Sequence, residues 1–111
     1  MTFSKALAES ELWEGEMRAV SINEVNVLLA RVGGQVRAYE DRCAHLRVRL
    51  SQGTFSEDGV ITCAVHQWQF DARTGRGVNP RKSCLRPFPV QLAHGFIWIE
   101  THPEDDHDRH P

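Results

Sequence analysis

Two short stretches constrain this chain most: Cys43-Ala44-His45 and Cys63-Ala64-Val65-His66, with seventeen residues between His45 and Cys63. Each stretch supplies one thiolate and one imidazole, so neither completes a four-ligand site alone. The fold must therefore bring them together as facing loops. Such a set suits a [2Fe–2S] centre in which two thiolates hold one iron and two imidazoles hold the other. A structural zinc site usually places both cysteines before both histidines, whereas here the two types alternate. A Cys43–Cys63 disulfide is disfavoured in a chain without an export signal, because cytosolic thiols stay reduced. Chance is disfavoured by supply, since the 111 residues include three Cys and six His.

A chain of this length is expected to form one small domain, near the lower end of what a single core can stabilise. A metal centre bound only by the native state would add to its folding free energy. The sequence contains no apolar run suited to a signal peptide or a membrane span, so a soluble, cytoplasmic, monomeric protein is expected, with no nucleic-acid or membrane partner. Cys84, the cysteine outside the two stretches, reads as a small buried hydrophobe. The net charge of −2 hides an asymmetry: residues 42–86 carry eight basic and three acidic side chains, whereas residues 1–41 carry four and seven. A segment of one sign around a redox centre would bias docking.

The rest reads as short strands separated by turns, which indicates an antiparallel sandwich or barrel. Strands are expected at Met17–Ile22, Val25–Val32, Val36–Tyr39, Val60–Cys63, Trp68–Phe70, Leu85–Leu92 and Phe96–Glu100. Gly33-Gly34-Gln35 and Ala93-His94-Gly95 are expected to turn hairpins, glycine supplying the positive φ. Asp71–Gly75 reads as the turn that closes Trp68–Phe70, and Gly75, Gly77 and Pro80 as turn formers. A helical turn is expected at Ser10–Trp13 with Ser10 as N-cap. From Thr101 the chain is polar and acidic, with His102, His107 and His110 among acidic residues and prolines; this reads as a solvated, disordered tail and not a metal site.

With these residues in place, the chain resembles the Rieske-type ferredoxins, most of all those of the toluene 4-monooxygenase group of soluble diiron monooxygenases. The likeness covers nearly all of residues 3–100. It rests on the ligand pattern and on Leu12-Trp13-Glu14-Gly15-Glu16-Met17, Gly59-Val60-Ile61-Thr62-Cys63, His66-Gln67-Trp68-Gln69-Phe70, Thr74-Gly75-Arg76-Gly77-Val78-Asn79-Pro80, and Cys84-Leu85 followed by Pro89-Val90. The resemblance implies an all-β fold, an antiparallel β-sandwich base with a smaller cluster-binding subdomain inserted at about residues 42–85. The Rieske domain would span 1–100 and the tail 101–111. It also implies one [2Fe–2S] cluster on Cys43, His45, Cys63 and His66, and no catalytic residue. The protein would carry single electrons from an NADH-dependent flavoprotein reductase to a diiron hydroxylase.

Departures from related proteins carry further expectations. Respiratory Rieske proteins resemble this pattern but add a cysteine to each loop, forming a disulfide, and place Ser and Tyr where this chain has Trp68 and Phe70. Without those groups the reduction potential is expected near the low end of the Rieske range, about −150 mV. Leu46, Arg47, Trp68, Arg81 and Lys82, with Arg49, are expected to form the docking face around the cluster. The other readings are the ferredoxin of a ring-hydroxylating dioxygenase, the small subunit of a nitrite-reductase-type enzyme, and the catalytic subunit of a Rieske oxygenase. The last would need a further mononuclear iron site.

Overall fold

Strand β3, Val25–Val32, organises the molecule. Its sequence Val-Asn-Val-Leu-Leu-Ala-Arg-Val is apolar nearly throughout, and Val27, Leu28, Leu29 and Ala30 are all buried. A strand that hides both of its faces lies between two layers. The computed structural model describes residues 3–42, 49–65, 67–79, 81 and 83–101, and in it β3 is central. The other strands are β1 (Ser4–Ala8), β2 (Met17–Ile22), β4 (Gln35–Glu40), β5 (Thr54–Phe55), β6 (Val60–Thr62), β7 (Gln69–Asp71), β8 (Gly77–Asn79), β9 (Pro87–Phe88), β10 (Val90–Ala93) and β11 (Phe96–Ile99). Among the described residues they form three antiparallel sheets in the orders β1-β11-β10, β2-β3-β4-β9 and β5-β6-β7-β8.

The period-two geometry of β3 sorts its side chains between two cores. Val27 and Leu29 join Leu12, Val36, Ala38, Phe88, Ile97 and Ile99 against the β1-β11-β10 sheet. Leu28, Ala30 and Val32 join Tyr39, Leu50, Ile61, Cys63, Phe70 and Leu85 against the β5–β8 sheet. The third sheet is an insertion between paired strands: the chain leaves β4 after Glu40 and returns at β9, which pairs Ala38 with Phe88 and Tyr39 with Pro87. At the neck of the insertion the Glu40 amide donates to the Arg86 carbonyl at 2.9 Å. The expected antiparallel all-β base with a smaller inserted unit is the architecture found.

Three hairpins turn on two residues of positive φ: Asn23-Glu24, Gly33-Gly34 and His94-Gly95. This is the signature of the type I′ turn, whose twist matches that of the flanking strands. The expected three-residue turns are thus each shortened by one, as Gln35 pairs with Val32 and Ala93 with Phe96. Glu14 holds the Gly33-Gly34 turn, its carboxylate accepting from both glycine amides at 2.8 Å.

Several expectations need correcting. Leu85–Leu92 is not one strand: β9 belongs to the central sheet and β10 to the outer one, with Pro89 at the crossing. Proline has no N–H and a fixed φ, so a strand that changes sheets there forfeits no ladder bond. The helical turn is a 3-10 turn at Glu9–Glu11 with Ala8 in the cap position and no side-chain cap. Ser10 lies inside it, and the Arg31 guanidinium anchors it by donating to the Glu9 carbonyl at 3.2 Å and the Leu12 carbonyl at 2.6 Å. Gly77, expected in a turn, opens β8 and pairs with Phe70. Strands β1 and β5 were not expected. Thr101, placed at the start of the tail, is buried and accepts a hydrogen bond from Asn23 Nδ2 at 3.4 Å; residues 102–111 lie outside the described residues. Among the described residues no helix is long and apolar enough to cross a membrane.

Candidate metal centre

Strand β6 ends at Thr62, so Cys63 is the first residue of the loop beyond it. Its side chain is fully buried and its thiol is free. The loop is closed by its own backbone: the Cys63 amide donates to the Trp68 carbonyl at 2.8 Å and the Gln67 amide to the Cys63 carbonyl at 3.0 Å. Gln67 takes the left-handed conformation, φ 58°, that lets the chain reverse in so few residues. Ala64 and Val65 point outward, with Val65 53% exposed. His66 falls within this loop in sequence but outside the described residues, as do Cys43 and His45.

The flanks of the first loop are described. Asp41 precedes Cys43 by two residues and is buried. Downstream, Arg49 leads into a 3-10 turn at Leu50–Gln52, and Leu50 is fully buried in the same core as Cys63. Gly53 ends that turn against the second loop. A Cβ at Gly53 would lie 1.9 Å from the Thr62 carbonyl oxygen and 3.3 Å from the Ala64 amide nitrogen. Backbone therefore meets backbone where the segment after Cys43 and His45 passes the segment that opens at Cys63. The 3-10 turn downstream of the first stretch is thus packed on the loop that opens at Cys63.

The expected docking residues are placed in part. Trp68 is half-buried and packs against the core with Met17 and Phe55. Arg81 is exposed; Leu46, Arg47 and Lys82 lie outside the described residues. Arg49 is held at 3.4 Å by the Asn26 side-chain carbonyl, on β3 of the base, so it is not simply a free charge. Arg42 pairs with Glu40 at 3.3 Å, and Arg73 lies 3.9 Å from Asp71 while donating to the Asp58 carbonyl. Cys84 corrects an expectation: it is exposed, not buried, and its backbone bridges to Arg76. The alternation places Cys84 outward, and the core position beside it is Leu85, which is buried.

Sequence reasoning missed Asp41, Ser51 and Gly53. Their signal was proximity: an acid two residues before Cys43, and Leu-Ser-x-Gly a few residues after His45.

With this geometry established, comparison with known proteins is decisive. The model of the Rieske [2Fe-2S] domain family matches residues 2–89. The chain belongs to that family. This Rieske domain is 41% identical over 96 residues to the ferredoxin component of the alkene monooxygenase system of Xanthobacter autotrophicus, covering 86% of this chain and 79% of that one. It is 33% identical over 102 residues to the biphenyl dioxygenase ferredoxin subunit of a Pseudomonas species, covering 90% and 93%. Among solved structures it is similar to the ferredoxin of carbazole 1,9a-dioxygenase from Nocardioides aromaticivorans, with a TM-score of 0.79, 26% identity and coverage of 89% and 97%. A ferredoxin solved in complex with the oxygenase of carbazole 1,9a-dioxygenase matches at a TM-score of 0.77 and 32% identity, covering 87% of this chain and 91% of that one.

A Rieske domain holds one [2Fe–2S] cluster, and the residues present fit it. The expected donor set, Cys43, His45, Cys63 and His66, has the thiolate and imidazole chemistry such a cluster needs. Its described member, Cys63, is a buried thiol just past a strand end, and Gly53 meets the backbone on both sides of it.

Proposed function

We propose that Cys43 and Cys63 bind one iron of the cluster as thiolates and that His45 and His66 bind the other as neutral imidazoles. The protein is an electron-transfer ferredoxin of an oxygenase system. When bound, the cluster supplies a site for a single electron. The chain's own residues would bind it, with Leu50, Ile61 and Phe70 packed in the same buried core as Cys63 to keep water from that thiolate. The observation that supports this reading is the contact of Gly53 with Thr62 and Ala64, which sets the turn downstream of Cys43 and His45 against the loop that opens at Cys63.

The electron donor is an NADH-dependent flavoprotein reductase, and the acceptor is the diiron hydroxylase of an aromatic or alkene monooxygenase. The higher identity to an alkene monooxygenase ferredoxin than to a biphenyl dioxygenase ferredoxin supports this acceptor. A dioxygenase partner is the second reading, favoured by the structural likeness to carbazole dioxygenase ferredoxins. The cluster-binding unit comprises about residues 42–85 of a domain that includes the buried Thr101, with residues 102–111 as a tail. The protein works as a soluble cytoplasmic monomer and performs no catalysis itself.

Purified protein is expected to hold two irons and two sulfides, and Ala at any of the four ligands to abolish the cluster. Elemental analysis finding stoichiometric zinc without sulfide would overturn the assignment. Single-turnover reduction of a diiron hydroxylase, set beside that of a dioxygenase terminal component, separates the two acceptors. Faster reduction of the dioxygenase component would sink the monooxygenase reading.

A further inference from the structure

The carboxylate of Asp41 makes a pair of contacts that the ligand set alone does not explain. Its Oδ1 accepts from the Ser51 amide at 2.8 Å and its Oδ2 from the Ser51 hydroxyl at 2.6 Å. Its own amide donates to the Asn26 carbonyl at 2.9 Å, which fastens it to β3 of the base. Asp41 is only 3% exposed. Ser51 follows Leu50, which is locked into the core beside Cys63, and precedes Gly53, which lies flush on the second loop. Asp41 and Ser51 therefore bracket the stretch that carries Cys43 and His45. A carboxylate can accept at both oxygens at once, whereas an amide has only one acceptor atom, and bonds to a charged acceptor are roughly twice as strong as neutral ones.

We propose that Asp41 is a positioning residue for the cluster: by gripping Ser51 it ties together the two described flanks of the segment that carries Cys43 and His45, and fixes the downstream flank beside Cys63. The proposal rests on the ligand assignment above. Its route is continuous, from β3 through Asn26 to Asp41, across to Ser51 and Leu50, and by Gly53 to Thr62 and Cys63.

Glu14 provides an internal control. It too is a carboxylate accepting two hydrogen bonds, but from the Gly33 and Gly34 amides. That turn lies past the other end of β3, starting seven residues beyond Asn26, roughly 23 Å away at strand spacing. Loss of Glu14 perturbs the fold without touching the ligand loops.

The test compares loaded wild-type protein with Asp41→Asn, Ser51→Ala, Ser51→Thr and Glu14→Gln. The readouts are the rate of iron transfer to a chelator and the electron paramagnetic resonance spectrum of the reduced protein. Asp41→Asn is expected to speed iron loss about tenfold, as for one hydrogen bond of ordinary net strength, and to shift the spectrum. Ser51→Ala should act in the same direction, Ser51→Thr should restore wild-type behaviour, and Glu14→Gln should match wild type in both readouts. If Asp41→Asn cannot be loaded, Ser51→Ala decides. Wild-type rates and spectra in both Asp41→Asn and Ser51→Ala would overturn the clamp, as would equal acceleration by Glu14→Gln. A wild-type protein that takes up no iron and sulfide overturns the ligand assignment and the clamp with it. A loaded wild type with indifferent variants overturns the clamp alone.

Discussion

Tyr39 joins the base to the inserted sheet. Its ring belongs to the core shared with β6 and β7, and its hydroxyl donates to the Ala72 carbonyl at 2.6 Å. Gly75 makes room for it, since a Cβ there would lie 2.7 Å from the ring. Burial disfavours the phenolate and pushes its pKa up to about 12. In the unfolded chain the group ionises near 10, so the folded protein holds the proton more tightly. The stabilisation is complete below pH 10 and is lost as pH rises towards 12. As the one tyrosine in the sequence, Tyr39 can be followed alone by phenolate absorbance. The absorbance should rise only as the fold melts under alkaline conditions; a simple titration near pH 10 with native structure intact would contradict this. Tyr39→Phe leaves the Ala72 carbonyl without its partner and should cost about 1–3 kcal/mol in urea unfolding.

Single elements explain why some strands were legible and others were not. Met17–Ile22 and Val25–Val32 were readable to the residue because each is long, apolar and bounded by turn residues. Strands β5 and β9, two residues each, have no periodicity to read and exist because a neighbour offers an edge. Gly53 belongs to this scale, for its role is the contact between the 3-10 turn and the end of β6. Its φ is −88°, which any residue can adopt, so the cost of substitution there is steric. Gly53→Ala forces backbone apart and should destabilise by about 1–3 kcal/mol, with iron content falling in parallel. Gly34→Ala meets no atom within 4 Å and pays only for its φ of +77°, about 1–2 kcal/mol. Its iron content should stay at the wild-type level. Thermal melts with iron assays on both variants separate the two costs, and equal iron loss would refute the loop-contact argument.

At the scale of the molecule, charge is segregated along the chain. The segment from Arg42 to Arg86 carries a net +5 against −3 for the first 41 residues. Two ionised cysteines balance an oxidised [2Fe–2S] core, so the cluster would not cancel that excess. Part of it is spent internally by Arg42 on Glu40 and by Arg73 near Asp71, whereas Arg81 is exposed beside the β8 end. Arg81→Glu combined with Lys82→Glu should therefore slow association with an acidic oxygenase surface and weaken its salt dependence, with little change once bound. Stopped-flow reduction across a salt series provides the check. Identical, salt-independent rates in the two proteins would leave the basic segment as ordinary solvated surface.

The sequence by itself determined the class of fold and the cluster type, and it carries the proposed ligand set. The identity and spacing of two Cys–His pairs are local facts, and such a pair in each of two stretches admits few other uses. Strand alternation and turn glycines are also local, which is why the central hairpin could be read directly. Only the tertiary structure decided what depends on distant segments meeting. It placed β3 between two layers, divided Pro87–Ala93 between two sheets, turned Cys84 to solvent, and set Gly53 on Thr62. It also gave the Asp41 carboxylate its partner in Ser51, ten residues on. A buried carboxylate takes its role from the donors the fold brings to it, and no pattern along the chain specifies which those will be.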